Sequence, residues 1–366
     1  MDNDLLYQLS LCKVPAIGNV HAKALTDRFA TVRDIFMARP RLLEKIEGIG
    51  PARAANIRRF RDFAAAEKEI AFINKYHIKP LFIRHKDYPQ RLLHCDDPPV
   101  LLFYKGTADL NAPRTVAVVG TRNHTEYGKA ATEKLVKELS EYDVVLISGL
   151  AYGIDAIAHK AALRNHVPTV GVVAHGLDTI YPGEHTGLAR QMLGSGGLLT
   201  EFHSNTKPDK HNFPSRNRIV AGLSDATIII ESGIRGGSMI TADLAFGYHR
   251  EVFALPGRKT DVHSKGCNEL IRTNKAALLG ETAQFAAAMA WESRAGKRTA
   301  QTGFTGDQTA EEQQVLRTLE SAGTLSIDEV IRATGIGVAT VSAVLLGLEL
   351  KSLIQSSPGQ RYRLSE

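Results

Sequence analysis

The feature that most constrains the fold is an alternation, between residues 115 and 280, of short apolar runs with amphipathic helical stretches. The runs are TVAVV, DVVLI, PTVGVV, GLLTEF, DATIIIE, EVFALP and AALLG. Strands that are apolar on both sides are typical of a parallel sheet with helices on both faces. The sequence therefore predicts a Rossmann-like, doubly wound, mostly parallel α/β domain whose ligand lies at the carboxyl ends of the strands.

The regions on either side predict further domains. Residues 1–76 read as short helices with two similar glycine segments, VPAIGNVHA and IEGIGPARA, which resemble a tandem helix-hairpin-helix or SAM-like domain. Such hairpins either bind phosphate at helix N-termini or simply dock on a neighbour. The Rossmann-like domain is expected over 77–290, led by accessory strands at 80–84 and 99–106. A polar linker follows at 291–310, and the helices and terminal hairpin of 311–366 predict a winged helix.

Composition bounds the class of protein. The 366 residues include 45 Lys and Arg against 39 Asp and Glu, which permits a polyanionic partner. Residues 1–80 carry 14 basic against 9 acidic residues, residues 111–290 carry 19 against 17, and residues 291–366 carry 8 against 9. No apolar run reaches the roughly 18 residues of a membrane span, and the acidic start does not resemble a signal peptide. Three scattered cysteines, Cys12, Cys95 and Cys267, suggest a reducing cytoplasm.

Three loops that follow predicted strands carry glycines or a cation. The first contains Gly120-Thr121-Arg122, the second is SGLAYGID (148–155), and the third is ESGIRGGSMITAD (231–243). Backbone N–H groups at helix N-termini bind phosphate, and the carboxyl ends of parallel strands share one rim. The sequence therefore predicts an anion-binding rim, although Arg122 in a buried ion pair is the alternative. The candidate residues are Arg122, Ser148, Gly149, Gly153, Gly237, Ser238 and Thr241.

The segment NFPSRNRIVAGLS (212–224) is the most distinctive in the chain. Phe213 precedes a proline in polar surroundings, so it is expected either to stack on a nucleic-acid base or to fill the core. Arg216 and Arg218 follow it and Lys210 precedes it, and these three cations are predicted to bind phosphates.

In order and spacing, GTR, SGLAYGID, NFPSRNRIVAGLS and ESGIRGGSMITA, followed by ALPG and NELIR, resemble the DNA-processing protein A family, DprA or Smf. The resemblance implies a protein of natural transformation that binds incoming single-stranded DNA, protects it from nucleases and helps to load the recombinase RecA. It also implies a homodimer, for which Leu244, Phe246 and Ile271 are candidate contacts, although each of them equally fits the core. No cofactor is implied.

Other readings make different predictions. A nucleotide phosphoribohydrolase related to the Lonely Guy family would bind a nucleotide phosphate with the loop GGSMITAD (236–243). An acidic residue would assist glycosidic cleavage, and the loop offers Asp243 for this role. The glycine-threonine step of that family is missing, so a non-enzyme is expected. The 13 histidines show no H-E-x-x-H spacing, and no metal site is expected. The helix VATVSAVLLGLEL (338–350) lacks a basic residue before Lys351, which favours protein contact or regulation over DNA reading.

Overall fold

A computed structural model of the chain describes residues 3–293, 309–351, 353–357 and 361–364. Close contacts divide the chain into two compact units, Met1–Arg294 and Ala295–Glu366. Most of the predicted linker, 294–308, and the predicted turn at Pro358-Gly359 lie outside the described residues.

The first unit is built on a sheet with the strand order β1-β2-β6-β5-β4-β3-β7-β8-β9. Neighbouring strands from β6 to β9 in that order run parallel, whereas β2 is antiparallel to both β1 and β6. The predicted mostly parallel sheet and its two accessory strands are thus confirmed. The strands are β1 (Lys79–Phe82), β2 (Leu101–Gly106), β3 (Thr115–Val119), β4 (Val145–Ser148), β5 (Thr169–Val172), β6 (Gly196–Thr200), β7 (Ala226–Ile229), β8 (Glu251–Ala254) and β9 (Ala277–Leu278).

Helices cover the sheet on both faces, which explains why the strands are apolar throughout. Within β3, Val116 and Val118 pack into one core cluster, and Ala117 and Val119 pack into the other. Successive side chains of a strand point to opposite faces, so both faces need apolar residues. The helices after the first accessory strand are α7 (Gln90–Leu93), α8 (Glu126–Leu139), α9 (Ile154–Arg164), α10 (Thr186–Ser195), α11 (Asn212–Gly222), α12 (Gly237–Gly247), α13 (Lys265–Arg272) and α14 (Thr282–Ala288).

The direction of chain winding reverses beside β3. From β3 the chain proceeds through β4 and β5 to β6 on one side, and then returns to place β7 on the other side. The loops after β3 and β7 therefore diverge at the carboxyl edge and leave a crevice between them. This is the position at which open α/β sheets bind their ligands.

The N-terminal helices belong to the same compact unit and share its core. Asn19 at the start of α2 donates from Nδ2 to Glu201 at 3.1 Å and accepts from the N–H of Val100 at 3.1 Å. On α6, Glu69 accepts from the N–H and the hydroxyl of Ser204. These helices are α1 (Asn3–Leu11), α2 (Asn19–Arg28), α3 (Val32–Met37), α4 (Pro40–Leu43), α5 (Pro51–Arg59) and α6 (Phe63–Tyr76).

The two similar glycine segments occupy matching places, since Gly18 is the N-cap of α2 and Gly50 is the N-cap of α5. Neither N-cap has a side chain to satisfy the first N–H groups of its helix. A helix-hairpin-helix pair is therefore present, and the division of the chain at residues 76 and 77 stays a prediction.

The second unit is a winged helix, as predicted. Its elements are α15 (Ala310–Ala322), β10 (Leu325–Ser326), α16 (Ile327–Thr334), α17 (Val338–Leu350), β11 (Ile354–Ser357) and β12 (Arg361–Leu364). Thr309 and Ser326 start α15 and α16 with capping boxes, which satisfy N–H groups at each helix start. Among the described residues, no single helix is both long and apolar enough to cross a membrane; α16 and α17 reach that length and composition only together, across a bend of 115°.

Candidate functional site

A cleft of about 330 Å³ opens at the carboxyl edge of the sheet, where the winding reverses. The loops after β3, β4 and β7 form its walls together with the first turns of α11 and α12. Four of the predicted motifs therefore meet in one place. The cleft is lined by Val119, Gly120, Thr121, Arg122, Gly149, Ala151, Asp155, Phe213, Arg216, Asn217, Val220, Ser232, Gly233, Gly236, Gly237, Ser238 and Thr241.

Arg122 is an exposed cation in this cleft. Its guanidinium lies over the ring of Phe213, with 5.3 Å between Cζ and the ring centroid. Within the described residues it forms no ion pair, so the alternative of a buried structural pair is wrong. An unpaired guanidinium with five donors is suited to bind a phosphate.

Arg216 lies deeper and is almost completely buried. It donates from Nη1 to the carbonyl of Val172 at 2.7 Å and from Nε to Oδ1 of Asn217 at 3.1 Å. Burial raises the pKa of the neighbouring Asp155, and the charge of Arg216 opposes that rise. Burial likewise lowers the pKa of Arg216, from a value so high that the side chain stays charged. Asp155 therefore interacts with both arginines, more strongly with Arg216 than with Arg122.

The loop after β4 is held by a contact of its own and by contacts with the loop after β3. Asp155 accepts from the N–H of Ala151 at 3.4 Å, and Ile154 donates to the carbonyl of Thr121 at 3.2 Å. Gly153 has φ of +79°, and a β-carbon there would collide with the carbonyls of Thr121 and Arg122. Two of the backbone donors expected for phosphate are therefore already used, and Asp155 orders the loop.

Two predicted residues of this loop, Ser148 and Gly149, have different places. Ser148 is buried and donates its hydroxyl to the carbonyl of Val118 at 2.7 Å, so the prediction that it contacts the ligand is wrong. Gly149 does line the cleft, and a β-carbon there would collide with Nη1 of Arg216 and the carboxylate of Asp155. Glycine at this position lets the arginine approach.

A buried histidine supports the same loop from behind. Burial lowers the pKa of His159 to about 4, so the ring is neutral near pH 7. Nε2 lies 2.5 Å from the carbonyl of Gly149, and Nδ1 lies 2.6 Å from the hydroxyl of Thr169. A carbonyl only accepts, so Nε2 carries the proton and Nδ1 accepts from Thr169.

The first turn of α12 supplies backbone donors. Its N-cap is Gly236, which has no side chain, and no described group accepts from the N–H of Gly237 or Ser238. The hydroxyl of Ser238 donates to Oγ of Ser232 at 2.8 Å, and that of Thr241 faces the carbonyl of Gly237 at 3.4 Å. Two free N–H groups at a helix N-terminus favour an anion.

Aromatic rings flank the cleft. Phe213 is half-buried, and its ring centroid lies 6.3 Å from that of Tyr181. Tyr152 is exposed beside them, with its hydroxyl donating to Glu184 at 2.8 Å. Neither tyrosine was predicted from the sequence, although Tyr181 stands before Pro-Gly in a polar loop, the same signal that marked Phe213. Lys210 is exposed beside the start of α11 but does not line the cleft.

Arg218 does not reach the cleft, and the prediction that it binds phosphate is wrong. Two residues along a helix turn a side chain through about 200°, so Arg216 and Arg218 face opposite sides. Arg218 is buried and pairs with Glu201 while donating to the carbonyl of Asp97. Burial raises the pKa of Glu201, and the charge of Arg218 opposes that rise. We call this cluster of Asn19, Glu69, Asp97, Glu201 and Arg218 the junction, because it joins the N-terminal helices to the sheet.

The candidate dimer residues and the candidate catalytic acid lie away from the cleft. Leu244 and Ile271 pack against the core, whereas Phe246 is 50% exposed. Asp243 pairs with Lys275 at 2.7 Å on the surface. Within the described parts of the chain, no three His, Cys, Asp or Glu side chains cluster closely enough to hold a metal ion.

Comparisons with known proteins agree on one family. The family model of DNA recombination-mediator protein A matches residues 79–290, the DprA winged-helix model matches 300–360, and a SAM-like helix-hairpin-helix tandem matches 9–60. Protein Smf of Synechocystis is 30% identical over 99% of both chains. DNA processing protein DprA of Bacillus subtilis is 40% identical over 57% of this chain and 71% of its own length.

Solved structures match as well. DprA from Streptococcus pneumoniae aligns with a TM-score of 0.67 and 33% identity, over 80% of this chain and 99% of that one. DprA from Helicobacter pylori, described for its single-stranded DNA binding mode, aligns with a TM-score of 0.54 and 32% identity, over 59% of this chain and 96% of that one. The chain therefore belongs to the DprA/Smf family of DNA recombination-mediator proteins.

Proposed function

We propose that this protein binds single-stranded DNA in the cleft and acts in natural transformation without catalysing a reaction. The observation that supports this most is the combination of an unpaired exposed guanidinium, Arg122, with two free N–H groups, those of Gly237 and Ser238. A phosphate accepts from both kinds of donor. The DprA of Helicobacter pylori binds single-stranded DNA, and that relative shares the fold.

In this proposal the backbone and the bases of DNA are bound by different groups. Arg122 and the start of α12 hold phosphates, and Phe213 and Tyr181 offer ring surface to bases that are not paired. Every base has a ring face, so this mode of binding depends little on sequence. Duplex DNA keeps its bases stacked and is expected to bind more weakly.

We also propose that the protein protects incoming DNA from nucleases, helps to load RecA, forms a homodimer and is located in the cytoplasm. Phe246 is an exposed apolar side chain on α12 and suits a contact between two copies, with Leu244 and Ile271 beside the core beneath it. Sedimentation of Phe246→Asp should then show a monomer where the parent protein shows a dimer.

The direct test is equilibrium binding of fluorescent oligo-dT at moderate salt. Arg122→Ala should weaken binding about tenfold or more, because it removes a charge-assisted contact. Phe213→Ala should weaken binding to oligo-dT but much less to an abasic strand of equal length, since stacking requires bases. Lys275→Ala removes one surface cation outside the cleft and is the matched control. Unchanged affinity in both cleft variants contradicts the proposal.

The proposed absence of catalysis has a separate test. Asp243 is engaged with Lys275 outside the cleft, and Asp155 holds the N–H of Ala151 beside Arg216. Neither carboxyl is placed as a free acid, which supports binding over cleavage of a glycosidic bond. Release of free base from nucleoside monophosphates by the pure protein would overturn this part.

A further inference from the structure

We infer that a second depression, on the far side of the loop after β7, continues the DNA site and binds further nucleotides of the same strand. The inference rests on the proposed function of the cleft. The depression has a volume of about 670 Å³ and is lined by Thr125, Tyr127, Glu231, Pro256, Gly257, Arg258, Asp261, His263 and Ser264.

The two hollows share one wall. Ser232 lines the cleft, and the preceding residue, Glu231, lines the depression. The N–H of Ser232 donates to the carbonyl of His263 at 2.6 Å, and the N–H of Gly266 donates to the carbonyl of Ser232 at 2.8 Å. The loop after β7, which carries exposed Arg235, contributes residues to both hollows. A strand that leaves the cleft over this loop meets the depression next.

Unpaired cations lie at the depression and next to it in sequence. Arg258 lines it, and Lys259 and Lys265 follow residues of its lining. All three are exposed and form no ion pair within the described residues, and Asp261 is the one acidic residue of that loop. The other carboxylate, Glu231, is buried and accepts from the N–H of Thr125 at 2.9 Å and the Thr125 hydroxyl at 2.5 Å. Exposed cations without partners release counterions when they meet phosphates, which drives binding.

A third hollow provides the contrast. It lies between α8 and α9 and contains Lys129, Lys160 and Arg164. Lys129 pairs with Glu126 at 3.4 Å, and Arg164 pairs with Glu133 at 2.7 Å. Most of the positive charge of this hollow is therefore neutralised. The depression differs from it in having cations that form no ion pair within the described residues, and not merely in having basic residues.

Tyr127 gives the depression an aromatic wall. Its side chain is 54% exposed, and its hydroxyl donates to the carbonyl of Pro256 at 3.1 Å. The hydrogen bond holds one end of the ring while the rest stays accessible. A ring fixed in this way beside cations is suited to stack on a base, at roughly tenfold in affinity per base.

The test compares a short with a long strand, oligo-dT of about 5 and about 20 nucleotides, because the short one fills only the cleft. The double variant Arg258→Ala/Lys259→Ala should bind the long strand about tenfold more weakly and the short strand as before. For the long strand, the slope of log affinity against log salt should fall by about 1.4, since each phosphate contributes about 0.7. Tyr127→Leu should weaken binding of the long strand without changing the salt slope, because no charge is removed. Tyr127→Phe keeps the ring and loses only its hydrogen bond to Pro256, so it should weaken binding less.

The control is Lys129→Ala/Lys160→Ala, which removes the same charge from the third hollow and should leave both strands unaffected. The inference is overturned if the Arg258/Lys259 variant binds both lengths normally, weakens both equally, or behaves like the control. Arg122→Ala separates this outcome from failure of the proposed function, because it should weaken both lengths. Circular dichroism melting of each variant verifies that it is folded.

Discussion

Helix α11 contributes an arginine to the cleft and another to the junction, and the two regions use the same residue type in opposite ways. At the junction, Arg218 is buried and pairs with Glu201 and Asp97, so the one cation of this cluster is neutralised by carboxylates. In the cleft, Asp155 interacts with Arg216 and, less strongly, with Arg122, and Arg122 stays exposed and forms no ion pair within the described residues. Matched, buried charge gives a fixed structure, whereas unmatched, exposed charge gives affinity for an anion.

The strongest test of this contrast is Arg218→Ala. The change leaves Glu201 buried without its cation, and breaking such a pair costs about 3–5 kcal/mol of the free energy of unfolding. Urea denaturation followed by circular dichroism measures the loss. Oligo-dT affinity of the folded protein should stay within about twofold of the parent. A stable variant that has lost DNA binding would mean that Arg218 belongs functionally to the cleft.

Gly149→Ala tests whether the cleft also depends on a fixed arginine. The new methyl group overlaps Nη1 of Arg216 and the carboxylate of Asp155, and overpacking of this kind costs about 1–3 kcal/mol of the free energy of unfolding. Displacement of Arg216 should also weaken oligo-dT binding. Gly187→Ala on α10 is the control, because a β-carbon there meets nothing within 4 Å and the residue does not line the cleft. Equal behaviour of the two variants would show that the position of Arg216 does not matter.

The third prediction concerns pH and a histidine beside the junction. Both ring nitrogens of His203 are shielded from solvent and have no partner within the described residues. Burial, helped by the charge of Lys13, lowers the pKa of His203 to about 4, below the 6.5 of an ordinary histidine. The folded state therefore binds fewer protons than the unfolded state. The stability that neutral His203 contributes is present in full above pH 6.5 and is lost as the pH falls towards 4.

His203→Phe should flatten this dependence by at most about 1.4 kcal/mol per pH unit between pH 6.5 and 4. The ring of His203 already packs on Phe103, with centroids 5.2 Å apart, so phenylalanine suits the place. Urea midpoints across the pH range measure the slope, and exposed His94→Phe should leave it unchanged. A slope as steep as that of the parent would show that His203 does not titrate in this interval.

The smallest expected effect is that of Arg122→Lys. Lysine keeps the charge but lacks the planar guanidinium that lies over Phe213, so the loss in affinity should be about threefold to fivefold. The free energy of unfolding should stay the same within about 0.5 kcal/mol, as for other surface changes. A loss as large as that of Arg122→Ala would show that the geometry of the guanidinium, and not its charge, holds the phosphate.

The fold was predictable from sequence because its signals are local. Continuous apolar runs such as TVAVV report burial on both faces, and the loops after parallel strands necessarily gather at one rim. The meeting of Arg122, Phe213 and Gly237 in one cleft follows from that topology. The winged helix was equally visible, because its helices and hairpin follow one another in the chain.

The direction of individual side chains was harder to predict. Arg216 and Arg218 look alike in NFPSRNR, and only the helical phase together with distant Glu201 decides which one is buried. From the sequence, Ser148 resembles a phosphate ligand, but its hydroxyl donates to the carbonyl of Val118. Tyr181 lies in another loop, and its ring is near that of Phe213. Each of these facts depends on a partner far away in sequence, which local patterns do not contain.

The bonds from Asn19 and Glu69 limit what a truncated form of this protein can show. A fragment that begins at residue 77 would leave Glu201 without the amide of Asn19 and Ser204 without the carboxylate of Glu69. Glu201 in turn positions Arg218, on the same helix as Arg216 and Phe213. A truncated protein that binds DNA poorly would therefore not show that the N-terminal helices contact DNA. Loss of these bonds would lower the free energy of unfolding, so the fragment would bind less DNA because less of it is folded. Single substitutions, measured for both stability and affinity, separate that effect from a direct contact with DNA.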